Sequence, residues 1–197
     1  AALLTVNKAI VDVRAEDKTR IYGITDAFTA VYNGFVNGEN YSSSGITGSP
    51  KLTTQAVASS SVGNYVITAE TGSLVSTNYS FTFLNGTLTV GKAMLVATAD
   101  NKSKVYGDIN PPLTISYNGF VNGDNISGTV VTGAPIIATS VNQFSSVGTQ
   151  AITLAAGSQV SSYYTISYQN GAFDIRKATL KVKASDLAKT YGELNPD

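Results

Sequence analysis

The sequence predicts an all-β protein: tandem compact β-modules in an elongated rod. Three observations carry this. A set of landmark residues returns in the same order about every 85 residues, hydrophobic positions alternate with a period of two, and Asn-Gly pairs punctuate the apolar runs. For the individual module two architectures fit, an immunoglobulin-like sandwich or a β-grasp-like arrangement with at most one short helix.

The repeat is read from five landmarks. Lys8-Ala9 recurs as Lys92-Ala93 and Lys177-Ala178, and Tyr22-Gly23 as Tyr106-Gly107 and Tyr191-Gly192. The run from Tyr32 to Gly38, Tyr-Asn-Gly-Phe-Val-Asn-Gly, returns intact from Tyr117 to Gly123. Val62-Gly63 matches Val147-Gly148, and Asn85-Gly86 matches Asn170-Gly171. The offset is 84 residues between Tyr22 and Tyr106 but 85 between Tyr32 and Tyr117, so one residue is inserted near Pro111-Pro112. The chain therefore divides into the last strand of a preceding repeat (1–6), two whole repeats (7–91 and 92–176) and the truncated start of a further one (177–197). A unit of this size can bury roughly 60% of its unfolded surface and hold a core of its own.

Within each repeat the first strand comes first. Val11, Val13 and Ala15 alternate with Asp12 and Arg14, and Leu95, Ala97 and Ala99 take the same places in the second copy. Leu180, Val182 and Ala184 do so in the third. Those positions mark the buried face. Further strands are expected near Phe28 to Tyr32, Lys51 to Ala56 and Tyr65 to Ala69, with a short helical turn at Gly38 to Ser42 or Gly123 to Ile126. The closing element reads as a hairpin. Asn85-Gly86 and Asn170-Gly171 suit a two-residue type I′ turn, which would pair Phe83 with Leu88 and Phe81 with Val90. The second copy would then pair Tyr168 with Phe173 and Ile166 with Ile175. Only Gly91 separates Val90 from Lys92, so successive modules should meet in a restricted orientation.

Composition removes most chemistry. The 197 residues include 13 Lys+Arg and 13 Asp+Glu, with no His, Cys or Trp. Imidazole bases, Cys-based zinc sites, disulfides and Ser-His or Cys-His nucleophiles all need residues that are missing. A balanced charge offers no basic face for a phosphate backbone. No stretch approaches the roughly 20 apolar residues of a membrane span. The second repeat has no Glu at all, which leaves no recurring carboxylate pair for hydrolysis. Asp100, Asn101, Asp108, Asn110 and Asp124 supply oxygen ligands but no dense calcium-loop run. A Lys-Asn isopeptide bond would have to join Lys92 or Lys177 to Asn85 or Asn170.

Lys-Ala-x-Leu-x-Val-x-Ala, Val-Tyr-Gly-Asp, Tyr-Asn-Gly-Phe-Val-Asn-Gly-Asp, Ser-Val-Gly and the closing Tyr-x-Ile-x-Tyr-x-Asn-Gly together resemble the MBG domain of the Tyr-Gly-x type. The likeness spans nearly the whole chain and is best in the second copy. The first departs where Ile24 stands for Asp108 and Glu39 for Asp124. The resemblance implies an exported, multi-repeat protein of the bacterial cell surface, or a secreted one, with β-rich modules and no catalytic residues.

Candidate ligand contacts are Tyr22, Tyr106, Asp108 and Asp124, with a Tyr stacking on a sugar and an Asp accepting its hydroxyls. The competing reading of the Tyr-Gly-Asp motif is a turn in which Tyr106 packs on the core rim and Gly107 supplies an unusual φ. Gly34, Gly119, Phe35, Phe120, Asn85, Gly86, Asn170 and Gly171 read as structural. No catalytic residue, metal or cofactor is expected. The expected role is a stalk of a cell-surface adhesin that projects a distal binding region, with neighbouring repeats of the same chain as its partners. The alternative makes each module a carbohydrate- or protein-binding adhesion unit for a glycan or a host or neighbour-cell surface protein. Neither involves nucleic acid, membrane insertion of this segment or enzymatic activity.

Overall fold

A computed structural model describes residues 2–195; Ala1, Pro196 and Asp197, in the expected flanking pieces, lie outside the described residues. The first module has seven strands: β1 (Ala9–Ala15), β2 (Lys18–Ile21), β3 (Ala30–Asn33), β4 (Lys51–Thr54), β5 (Gly63–Glu70), β6 (Tyr79–Leu84) and β7 (Gly86–Gly91). The second repeats them as β8 (Ala93–Ala99), β9 (Lys102–Val105), β10 (Ile115–Asn118), β11 (Ile136–Thr139), β12 (Gly148–Ala155), β13 (Tyr164–Gln169) and β14 (Gly171–Arg176). No helix occurs among the described residues. At the expected helical turn, Asn40 O accepts from Ser44 N–H at 2.9 Å and the chain closes a single turn only.

Each module is a sandwich of two sheets. One has the order β3-β1-β6 and the other β4-β5-β7-β2, and the second module copies both as β10-β8-β13 and β11-β12-β14-β9. Val11, Val13 and Ala15 are fully buried, as are Leu95, Ala97 and Ala99, which is the alternating face the sequence marks. Val11 and Val13 pack with Ile46, Leu74 and Tyr79. Ala15 packs with Ile67, Leu88 and Val90 of the facing sheet. Leu180 and Val182 of the third copy are 87% and 86% exposed and form no strand. Their counterparts are ordered by flanking strands from later in the repeat, and residues 177–195 contain none.

The closing hairpin is not formed, and this corrects the sequence expectation. β6 pairs in parallel with β1, setting Phe81 beside Val11 and Phe83 beside Val13. β7 lies in the other sheet, antiparallel to β5 and parallel to β2. Likewise β13 joins β8, and β14 joins β12 and β9. Phe83 and Leu88, or Tyr168 and Phe173, thus face the same interior from different sheets. Asn85-Gly86 is a corner at which the chain changes sheets. Gly86 has no positive φ, so the type I′ requirement is absent. Glycine is needed here for close approach: a Cβ on Gly86 would lie 2.5 Å from Ala15 O, and one on Gly171 2.4 Å from Ala99 O. Asn85 Oδ1 accepts from Ala69 N–H and Asn170 Oδ1 from Leu154 N–H, at 3.2 and 2.9 Å. The amide side chains tie the corner to β5 and β12.

A second corner runs beside the first. Between β1 and β2 the chain also changes sheets, at Glu16-Asp17, and Asp17 Oδ1 accepts from Thr87 N–H at 2.7 Å. Asn101 Oδ1 does the same for Ala172 N–H, again at 2.7 Å. Parallel partners Arg14–Leu84 before the corner and Lys18–Leu88 after it keep the same register. The two strands cross together.

Gly86→Ala tests the corner by sign. At an open site with ordinary φ the added methyl would raise stability by about 0.4–1 kcal/mol through the unfolded chain. Against the Ala15 carbonyl it should instead cost roughly 1–3 kcal/mol. Urea unfolding reads the difference, and a stabilised variant would contradict the packing described.

Candidate functional site at the junction between modules

β2 ends at Ile21, and the next residue continues its ladder: Tyr22 N–H donates to Gly91 O, the last residue of β7, at 2.8 Å. This aims Tyr22 past the end of its own module. Gly23 then turns the chain at φ 92°, which glycine alone adopts without strain. Tyr22 is only 3% exposed, and the cluster that buries it belongs to the second module: Ala93, Leu95, Val131 and Tyr164. Its ring lies 4.9 Å from that of Tyr163, tilted, and 5.6 Å from that of Tyr164, edge to face. Both are favourable aromatic separations.

The hydroxyls converge on one carboxylate. Asp124 Oδ2 accepts from Tyr22 OH at 3.0 Å and from Tyr164 OH at 2.6 Å. An ionised carboxylate is an acceptor only and takes two phenols without conflict. Burial first, then the bond to Asp124, pushes the Tyr164 hydroxyl up to about 12. Burial likewise raises the Tyr22 hydroxyl, with Asn122 opposing and Asp124 adding. Both phenols stay neutral donors through the whole ordinary pH range.

Around this centre the contact is close. A Cβ on Gly23 would sit 2.3 Å from a methyl of Val121, so glycine is demanded by space as well as by φ. Ala58 O accepts from Gly23 N–H at 3.1 Å and from Asn122 Nδ2 at 3.4 Å, joining the modules through one carbonyl. The Ala58 loop is held from beneath by a buried cation. Arg20 is 6% exposed and donates to Val57 O at 2.6 Å. Lys104 stands at the same place in β9 and donates to Asn142 O at 2.6 Å.

The four candidate ligand residues separate. Tyr22 and Asp124 meet, from different modules, and direct their polar atoms at each other and at Tyr164. Tyr106 and Asp108 lie together on the Tyr-Gly turn at the far end of the second module. There Tyr106 is 45% exposed and Asp108 N–H closes the turn on Val105 O at 3.1 Å. Gly107 has φ 93° and no atom within 4 Å of a would-be Cβ. The same turn is thus filled against by a module at Gly23 and open at Gly107. Gly34 and Gly119 back onto the first strand of their modules, and Phe35 and Phe120 stack edge to face on Tyr79 and Tyr164. Lys92 donates to Ser161 O at 2.7 Å while Asn170 serves β12, so the pair weighed for an isopeptide bond is engaged elsewhere. Among the described residues no three acidic side chains gather where they could hold a metal ion.

Tyr163 and Ala58 were not singled out from the sequence, and Val121 and Asn122 only as members of the recurring Tyr-Asn-Gly-Phe-Val-Asn-Gly run. The available signal was that Asn78 stands where the second copy has Tyr163, a difference confined to the face that receives a neighbour.

Tyr22→Ala removes a ring from the second module's core although it lies in the first, and should cost the second module about 3 kcal/mol. Hydrogen exchange resolved by module reads this, and a loss confined to residues 9–91 would contradict it. Alkali should loosen the junction. Phenols in the unfolded chain ionise near pH 10, below the folded value of Tyr164. Its contribution is therefore complete below pH 10 and lost as pH rises toward 12. Thermal unfolding between pH 8 and 12 should fall less steeply in Tyr164→Phe than in the parent, and equal slopes would exclude the assignment.

A family model described as MBG domain (YGX type) matches residues 11–89 and again 95–174. No curated protein matches the chain. With the two matches covering most of its length in tandem, the chain belongs to the MBG domain family of the YGX type.

Proposed function

We propose that this chain is a non-enzymatic stalk segment of a bacterial cell-surface adhesin, in which tandem MBG modules hold a distal binding region away from the cell. MBG repeats are typical of surface proteins, which supports an extracellular location. The observation that carries the mechanical part is Tyr22: a side chain of one module buried in the core of the next. A ring packed against Tyr163 and Tyr164, a carboxylate shared between modules and a junction of a single residue, Lys92, between β7 and β8 leave little freedom to hinge. Flexible tethers have the opposite design, with long polar linkers and no shared core.

The alternative, that each module binds a glycan or a protein itself, receives less support. The aromatic and carboxylate groups best suited to a sugar at the first Tyr-Gly turn are occupied by the junction. Solution scattering tests the stalk reading. The expected particle is a rod two modules long whose dimensions hold across ionic strength, and which becomes flexible in Tyr22→Ala. A compact particle, or a freely hinged parent chain, would overturn it.

A further inference from the structure

The end of the first module that faces away from the second has a cavity of 250 Å³ lined by Lys8, Ala9, Val36, Asn37, Glu39 and Tyr79, among others. Through the repeat these six correspond to Lys92, Ala93, Val121, Asn122, Asp124 and Tyr164, most of which surround or touch Tyr22. The cavity is also lined by Val6 and Asn7, the counterparts of Val90 and Gly91, and Gly91 supplies the carbonyl that accepts from Tyr22 N–H.

We propose that this cavity is a socket for the tyrosine of a Tyr-Gly turn carried by another repeat of the same kind joined ahead of Lys8. Its polar centre is already assembled. Tyr79 OH donates to Glu39 Oε2 at 2.5 Å, as Tyr164 does to Asp124, and Phe35 stacks on Tyr79 as Phe120 does on Tyr164. The Tyr79 hydroxyl is raised by that bond to Glu39 and by burial. An incoming tyrosine hydroxyl has the same carboxylate to donate to. The matching plug is visible at the opposite end of the chain: Tyr106 is exposed, its N–H bonded to Arg176 O at 2.9 Å as Tyr22 N–H is to Gly91 O. Each module is thus a plug at one end and a socket at the other, which is the heterologous geometry that propagates an open row.

The two sockets differ in a way that grades them. Asn78 replaces Tyr163, so the first socket lacks the tilted ring beside the plug. Glu39 is longer than Asp124 by one methylene, and its carboxylate is held by Tyr79 OH. Recognition at the first socket leans on the carboxylate, and at the second on aromatic packing.

The proposal rests on the array reading only in taking its plug from another repeat. The test extends the chain by placing a copy of residues 8–91 directly ahead of Lys8, in place of residues 1–7. The Tyr22 of the added copy then faces Glu39 and Tyr79. Exchange of the Val36 and Glu39 amide hydrogens should slow about tenfold or more relative to the unextended chain, and return to the original rate when the added tyrosine becomes Ala. Tyr→Phe in the added copy and Glu39→Gln should each lose most of the protection, and together lose little more. Unchanged exchange in a folded, extended chain would overturn the socket. A copy of residues 92–176, with Tyr106 as the plug, replaces the first if that does not fold. The resident junction serves as a separate control: if Tyr22→Ala also leaves the Val121 and Asp124 amides unaffected, it is the array reading that fails.

Discussion

Everything distinctive in this structure depends on one steric constraint, the approach of Gly86 to the carbonyl of Ala15, repeated as Gly171 on Ala99. Two parallel strands can change sheets side by side only if one backbone lies directly on the other. That contact puts β2 next to β7 in a continuous register with β1 and β6. Because β2 ends level with the last residue of β7, the following tyrosine emerges at the module's end and nowhere else. Corner, ladder and plug form one causal sequence.

The same geometry explains where the polar groups are used. Asp17 and Asn101 serve the corner, Asn85 and Asn170 tie it to the sheet, Arg20 holds the loop that offers a carbonyl to the neighbour, and Lys104 holds the equivalent loop of the second module. Each of these side chains has a backbone partner, as buried and half-buried polar groups generally do, although Arg20 Nε and Nη1 make no hydrogen bond and Nε lies 4.0 Å from Asp26. A sequence poor in charge has few others, and the junction uses one carboxylate for two phenols where two separate pairs would need more.

Fold class, repeat and the buried face of β1 were legible in the residues, because each is written as a local period or a recurrence. The topology was not. Asn-Gly is ambiguous between a turn that needs φ > 0 and a corner that needs space, and only the partner strand, some seventy residues away in the register of Arg14 with Leu84, decides between them. Alternation along β6 and β7 looked the same in both cases, since both faces point to one core. Tyr22 was legible as special, but its burial in the next module was not. The residues that bury it are in the next repeat, and within its own module it has the surroundings of an exposed tyrosine, as Tyr106 still has.

The parallel arrangement of β1 with β6 and of β2 with β7 has a consequence for tension. A pull on a tandem array enters each module at the start of β1, near Lys8, and leaves at the end of β7, at Gly91. Those ends are joined through two parallel ladders that share one register across the corner. The load therefore falls on the rungs together, in shear, where an antiparallel hairpin at the exit would let the rungs break singly, in succession. A closing hairpin would have made this module a zipper; the crossed corner makes it a clamp.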